Sequence, residues 1–341
     1  MNKKPTIRDV AKYAKVSPAT VSYVLNGVNK VSEDTKTRVL EAIETLNYYP
    51  DFTAVSLSKK KSNIIGIMLP ITEDSPAVFK NNLYYNEFVS GVEMVARNHK
   101  FDTMITGVSS PEEARLWVKK RNLDGVIFLG KFPQNLFAEM TKLDIPIVLI
   151  DTYEEYTSFF QNVKIDDEYG GYLAGKHLIE LGHKNIAFVS TSLELSPVDS
   201  KRFTGFKKAL QQAGVKLKSE FIYEALDISF EKGIQLGEQI LTESKPITGI
   251  VVVSDILAIG MIKAFQENKK LVPEHYSVVG FDDLSISKYM TPSLTTVRQD
   301  IFQKGKSAAE LLIHSFEAPD AEQHTIELPV QLVVRGSTRR I

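Results

Sequence analysis

The chain has 341 residues, 43% hydrophobic and 24% charged, with a formal net charge of −1 and no cysteine. That length exceeds one small core and implies two or three soluble globular domains, while the lack of cysteine excludes disulfides and thiolate metal sites. The six histidines (His99, His177, His183, His275, His314 and His324) show no metal-ligand spacing, so neither metal nor cofactor is expected. The amino terminus is polar where a signal peptide is apolar, and no run approaches the roughly 18 apolar residues of a membrane span. A cytoplasmic protein without membrane contact is expected.

From Thr6 to Asn26 the chain reads TIRDVAKYAKVSPATVSYVLN. Ile7, Val10, Ala11 and Ala14 recur at helical spacing, with Thr6 placed to cap and Asp9 three residues later as in a capping box. Lys15-Val16 then make a tight turn. Ser17 supplies a second cap, Pro18 takes the first helical position, and Val21, Val24 and Leu25 form a second apolar stripe. So brief a turn makes the two helices cross steeply and leaves Pro18, Ala19, Ser22 and Tyr23 facing outward, the layout of a helix-turn-helix. The alternative is an ordinary helical hairpin covering a core. Ser32 opens a third helix with Glu33 and Asp34 at its positive end. Val39, Leu40, Ile43 and Leu46 are expected on its buried face, and Pro50 ends it.

Residues 51–62, DFTAVSLSKKKS, are too weakly apolar to hold a helix alone. They read either as a solvated linker or as a segment that orders when its lysines meet phosphates. Residues 1–61 hold 11 Lys/Arg against 6 Asp/Glu, a net +5 that leaves −6 for the remainder. A basic head on an acidic body suits nucleic-acid binding by the head.

From Asn63 onward short apolar runs alternate with helical stretches. NIIGIMLP (63–70), FDTMITGV (101–108), DGVIFLG (124–130) and PIVLIDT (146–152) form one series. NIAFVST (185–191), FIYEAL (221–226), TGIVVVS (248–254) and YSVVGFDD (276–283) form another. This is α/β with two doubly wound, parallel-sheet lobes in tandem, and a cleft between them at the carboxyl ends of the strands is the natural ligand site. GGYLAGKH (170–177) nearly spells a phosphate loop, but it lacks the final Ser/Thr and lies within a helical stretch. Neither GxGxxG nor GxSxG supports an enzyme.

The head TIRDVAKYAKVSPATVSYVLNG, the follow-on VSEDTKTRVLEAIETLNYYP and the body phrases HLIELGHKNIAFV, KRFTGFKKAL, SDILAIGMIKAF, VVGFDD and SLTTVRQD resemble the LacI/GalR family of bacterial transcription regulators across essentially the whole chain. The resemblance implies a DNA-binding head over 1–50, a hinge helix over 51–62 and a core of periplasmic-binding-protein type over 63–341. Its N-lobe would span about 63–164 plus 298–328, and its C-lobe about 165–297 plus 329–341. It further implies a homodimeric repressor of a near-palindromic double-stranded operator, controlled by a small effector, a sugar or sugar phosphate first. A purine or a protein corepressor, and a cytoplasmic sugar receptor without a DNA role, are the alternatives.

Carried over by position, base reading falls to Pro18, Ala19 and Tyr23. Backbone contacts fall to Thr6, Ser17, Thr20, Ser22 and Asn26, with Ala54 and Leu57 in the hinge. Many members carry Arg or another long polar residue where this chain has Tyr23, a departure that bears on the operator sequence, and Pro18 and Ala19 offer only apolar contact. In the core the resemblance places effector residues at Asp151, Arg202, Ser254, Asp255 and Asp282. Tyr84 and Tyr85 are candidate aromatic walls. Arg202 would donate a planar fork and the carboxylates would accept, the pairing that grips adjacent hydroxyls.

If Leu57 wedges a base step, Leu57→Ala will weaken operator binding and blunt its effector response, as read by fluorescence anisotropy. Unchanged values would remove this role. Affinity should also fall steeply between about 50 and 200 mM salt, as phosphate contacts require.

Overall fold

The computed structural model describes residues 4–28, 30–49, 61–71, 82–130, 134–153, 159–318 and 322–341. The chain divides into two units, Met1–Ser62 and Asn63–Ile341.

In the first unit, α1 (Ile7–Ala14), α2 (Pro18–Leu25) and α3 (Glu33–Thr45) enclose a small core of Val10, Ala11, Ala14, Val21, Val39, Ala42 and Tyr48. Lys15 ends α1 in the left-handed region (φ 55°), which makes the turn into α2 abrupt. Ser17 Oγ accepts from the Thr20 N–H at 3.1 Å, as a cap should. Two expected core positions face outward instead. Leu40 is 49% exposed and Leu25 36% exposed. Leu40 follows the fully buried Val39 and so points about 100° away from it on the helix, and Ala42 takes the inward position. The hinge residues Ala54 and Leu57 lie outside the described residues.

The second unit holds two parallel-sheet lobes, as expected. The first sheet has the order β11-β5-β4-β3-β1-β2, with β1 Ile64–Pro70, β2 Asp102–Val108, β3 Gly125–Phe128, β4 Ile147–Ile150, β5 Gln161–Ile165 and β11 Thr325–Leu328. Around it lie α4 (Leu83–Asn98), α5 (Pro111–Arg121) and α6 (Gln134–Met140). The second sheet has the order β12-β10-β9-β8-β6-β7, with β6 Ile186–Ser190, β7 Ile222–Glu224, β8 Gly249–Val252, β9 Ser277–Asp282, β10 Thr295–Gln299 and β12 Val330–Val333. Its helices are α7 (Asp167–Glu180), α8 (Pro197–Gln212), α9 (Phe230–Glu243), α10 (Asp255–Glu267) and the short α11 (Ile286–Tyr289). Finally α12 (Ile301–Glu317) returns to the first lobe and packs on α4. Among the described strands only β12 runs antiparallel, against β10.

The chain thus passes between lobes three times, after β5, after β10 and after β11. The strands at these passages, QNVKI, TTVRQ, TIEL and VQLV, carry too many polar residues to read as apolar runs. Parallel strands with helices on both faces are buried on both sides, which is why β1, β3, β4, β6, β8 and β9 do read that way. Among the described residues no helix is long and apolar enough to cross a membrane.

The glycine-rich stretch 170–177 proves to be a packing surface within α7. A Cβ on Gly171 would lie 1.9 Å from the Arg202 carbonyl oxygen, and one on Gly205 would lie 1.7 Å from the Glu168 carbonyl oxygen. The backbones of α7 and α8 therefore touch, and that contact brings Asp167 and Arg202 together. Gly205→Ala should destabilise the core by about 1–3 kcal/mol or more through overpacking. Calorimetry of wild type and variant will show this as a Tm lowered by several degrees.

Candidate functional site

Two surfaces collect the residues singled out in the sequence. On the head, Ser17, Pro18, Ala19 and Asn26 are exposed beside Tyr23, which is 42% exposed, while Thr20 and Ser22 are half-buried. Their polar groups are ordered among themselves. The Ser17 and Thr20 hydroxyls lie 2.9 Å apart, and the Asn26 amide donates to the Ser22 carbonyl at 2.8 Å and to its hydroxyl at 3.2 Å. At the start of α1, Asp9 accepts from both the N–H and the hydroxyl of Thr6 at 2.7 Å. A short, pre-ordered hydroxyl and amide face with one projecting tyrosine suits a polar groove surface.

The second surface lies where the strands of both lobes end. Asp151 follows β4 and Asp282 closes β9, with φ of 50° and 119°. Left-handed backbone at a non-glycine residue costs on the order of 1–3 kcal/mol and persists where the surroundings hold it. One such restraint is the Asp151 N–H, which donates to the Val163 carbonyl at 3.0 Å. Both carboxylates are thereby turned out of the strand line.

Arg202 reaches the site from α8. Its Nε donates to Asp167 Oδ1 and its Nη1 to the Val253 carbonyl, each at 2.6 Å, and its guanidinium carbon sits 3.5 Å from the centre of the Phe281 ring. Burial pulls the Arg202 pKa down, but Asp167, Asp282 and Asp199 outweigh it and leave the group raised. It stays charged. Tyr153 donates to the other Asp167 oxygen. Burial raises Asp167, against the opposing pull of Arg202.

Asp151 is joined to residues that sequence reasoning missed. Lys304, fully buried in the first turn of α12, donates to both Asp151 oxygens at 2.9 and 2.7 Å and to Gln299 Oε1 at 2.6 Å. The Gln299 amide in turn donates to Asp282 Oδ1 at 2.7 Å. Tyr84 donates to Asp151 at 3.1 Å, and burial together with the Asp151 and Asp282 charges holds its hydroxyl well above its usual pKa. The result is a continuous polar chain from the first lobe (Tyr84, Asp151, Lys304) through Gln299 to Asp282 in the second. The signal for Lys304 was its spacing, since Ile301, Lys304, Ala308 and Leu312 share one helical face and the other three are buried apolar residues.

The structure therefore gathers Tyr84, Asp151, Arg202 and Asp282. Tyr85 stands beside Tyr84, rings edge to face with centroids 6.0 Å apart, and burial pushes its hydroxyl up to about 12. Ser254 and Asp255 are differently engaged. Ser254 caps α10 through the Ile256 N–H at 3.2 Å. Asp255 has no exposed surface, and its oxygens accept from the Leu284 N–H (2.9 Å), the Ser287 hydroxyl (2.6 Å) and the Thr296 hydroxyl (2.6 Å). It fixes the loop after β9, and through that loop Asp282, rather than presenting a free carboxylate. No group of three or more His, Cys, Asp or Glu among the described residues is arranged to hold a metal.

Burial pushes Asp282 up to about 6, despite the opposing charge of Arg202. A carboxyl whose folded pKa exceeds its unfolded value contributes most to stability below about pH 4, and that contribution is lost as pH rises through about 6. Asp282→Asn should therefore stabilise the core relative to wild type at pH 7.5, by an amount on the order of 2 kcal/mol. The difference should shrink towards pH 4.5 in paired urea titrations.

Comparison with known proteins gives a consistent picture. A family model described as bacterial regulatory proteins, lacI family, matches residues 6–51, and one described as a periplasmic binding protein-like domain matches residues 176–338. The chain is 33% identical to catabolite control protein A of Priestia megaterium, over 98% of this chain and 99% of that one. It is also 33% identical to the HTH-type transcriptional repressor PurR of Mannheimia succiniciproducens, with the same coverage. A lac repressor dimer bound to operator and the anti-inducer ONPF superposes with a TM-score of 0.86 at 27% identity, covering 99% of this chain and 100% of that one.

Proposed function

The chain belongs to the lacI family of bacterial regulatory proteins, and from that membership we propose that it is a cytoplasmic, homodimeric transcriptional repressor, and not an enzyme, whose affinity for a near-palindromic operator is set by a small ligand held between the lobes of its core. The observation that carries the reading is the chain Tyr84–Asp151–Lys304–Gln299–Asp282. It places polar donors and acceptors of both lobes at the carboxyl ends of parallel strands, where such sheets take ligands. The exposed face of α2 serves as the DNA-reading surface, with Pro18, Ala19 and Tyr23 over the bases and Thr6, Ser17, Thr20, Ser22 and Asn26 towards the backbone. Ala54 and Leu57 belong to the hinge.

Ligand binding shifts the angle between the lobes by replacing hydrogen bonds within this chain with bonds to the ligand. That shift reaches the hinges of the dimer and changes how well they order in the minor groove. A coupling of about 1–3 kcal/mol is typical of such switches. Arg202 and Asp282 are the principal ligand residues, with Asp151 and Tyr84 beside them, and the effector is a sugar or sugar phosphate. A purine effector is less well served. Phe281 is 1% exposed with Arg202 at 3.5 Å from its ring centre, and Lys304 lies over the Tyr84 ring at 5.7 Å, so both rings already carry a cation where a base would stack.

Operator binding to the DNA upstream of the protein's own gene, measured against a sugar panel, tests the reading directly. Release by one sugar identifies the effector, whereas tight binding indifferent to every sugar would move control to another ligand or to a protein corepressor. Arg202→Ala should retain operator affinity and lose the effector response, a change of roughly five- to 150-fold in wild type. A retained response would remove Arg202 from the site.

A further inference from the structure

The effector cleft lies at the carboxyl ends of the strands, and the amino ends of β1, β2 and β3 carry a feature of their own. Asn63, through which the chain of the head enters the core, is fixed there. Its N–H donates to Asp124 Oδ2 at 2.8 Å and its carbonyl accepts from the Asp102 N–H at 2.8 Å. Ile64 pairs with Asp102 and Ile65 with Gly125, and neighbouring strands run about 4.8 Å apart, so the turns that lead into β2 and β3 flank this entry point. One turn holds Lys100 and the other follows Lys119, Lys120 and Arg121, and all four side chains are exposed.

Both turns are set by backbone bonds. Lys100 and Asn122 take left-handed backbone, with φ of 64° and 51°. The Lys100 N–H donates to the Arg97 carbonyl at 3.0 Å, and the Asn122 N–H to that of Lys119 at 3.3 Å. The charges they display are uncommitted. Arg97 close by is spent on Glu93 at 2.8 Å, whereas none of the four makes an ion pair among the described residues. Residues 99–102 and 119–124 hold these four cations against Asp102 and Asp124, a local net +2 in a core that carries −6. A cation in the last turn of a helix complements its dipole. That need does not account for three of them on α5, because α8, α9 and α10 carry none. Lys59, Lys60 and Lys61 precede the entry point in the sequence and extend the same charge.

Resting on the reading of the chain as an operator-binding regulator, we propose that this rim is a second DNA-contacting surface, in which Lys100, Lys119, Lys120 and Arg121 bind the phosphate backbone of the duplex that the head reads. The head is tethered to the core through Asn63, inside the rim, and residues 51–62 span at most about 40 Å. Contacts of this kind carry no sequence information. The head supplies the reading, and the rim adds affinity for any duplex through the release of counterions.

The test is fluorescence anisotropy of the full chain on the DNA upstream of its own gene and on a scrambled duplex, at salt between about 50 and 200 mM. Lys100→Gln/Lys119→Gln/Lys120→Gln/Arg121→Gln, checked for folding by its melting temperature, should bind both duplexes more weakly by a common factor and with a shallower salt dependence. Each lost phosphate contact lowers the slope of log K against log salt by about 0.9, so the loss of two makes the variant about tenfold less sensitive across that range. Lys119→Arg/Lys120→Arg keeps the charge and should keep the wild-type slope. The control removes as much charge from exposed lysines of the second lobe, Lys184→Gln/Lys216→Gln/Lys269→Gln/Lys270→Gln, and should also keep it. A slope unmoved in the rim variant, or moved as far in the control or in the arginine variant, overturns the second surface while leaving the operator reading intact. Failure of the wild type to bind either duplex overturns that reading, and the rim falls with it.

Discussion

An ammonium group without exposed surface is tolerated in a protein only where carboxylate and hydrogen-bond acceptors surround it, and Lys304 meets that condition between Asp151, Gln299 and Tyr84. Its burial forces α12 to sit with its first turn against the end of β4, and it ties Gln299, the last residue of β10, to the first lobe. Because Gln299 also holds Asp282, a displacement of either lobe is felt at once by both carboxylates. These residues thus form a connected set of mutual bonds that joins the two lobes. In the proposed function a ligand exchanges some of them for its own bonds, the route by which differential binding to two lobe arrangements would arise.

The strain in the site follows from the same arrangement. Asp151 and Asp282 hold left-handed backbone at the ends of β4 and β9, conformations that a side chain with a Cβ adopts at an energetic cost. Three donors on Asp255 fix the loop beyond β9, and the close approach of α7 and α8, Gly171 against the Arg202 carbonyl and Gly205 against the Glu168 carbonyl, brings Arg202 opposite Asp167. Rigid packing outside the cleft therefore sustains the unfavourable geometry inside it, and the residues that do so need not touch ligand themselves.

Charge is divided along the chain to match this division of labour. The +5 carried by residues 1–61 suits attraction to a polyanion, and the −6 of the remainder keeps most of the core from competing for the same surface. Within the core, Lys304 pairs with Asp151 and Arg202 with Asp167.

Much of this was legible in the sequence. Capping residues and 3.6-residue spacing defined α1 to α3, and the apolar runs of β1 to β4 and β6 to β9 defined two parallel lobes, because strands covered on both faces must be apolar throughout. Position along the motifs singled out Asp151, Arg202 and Asp282, and Tyr84 stood as a candidate aromatic wall; the fold does gather these four. The sequence did not reveal β5, β10, β11 and β12, whose polar residues lie at the passages between lobes. Nor did it separate Asp255, whose oxygens serve the loop after β9, from Asp282, which keeps one oxygen open. Lys304 stayed hidden because a lysine among apolar neighbours at helical spacing looks like a flaw in a core stripe until its partners are known. Local propensity and periodicity are properties of contiguous residues, so the sequence by itself determined the head, the apolar strands and the two lobes. Which charges neutralise one another depends on Lys304 meeting Asp151 across 153 positions and Arg202 meeting Asp167 across 35, and only the tertiary structure decided that.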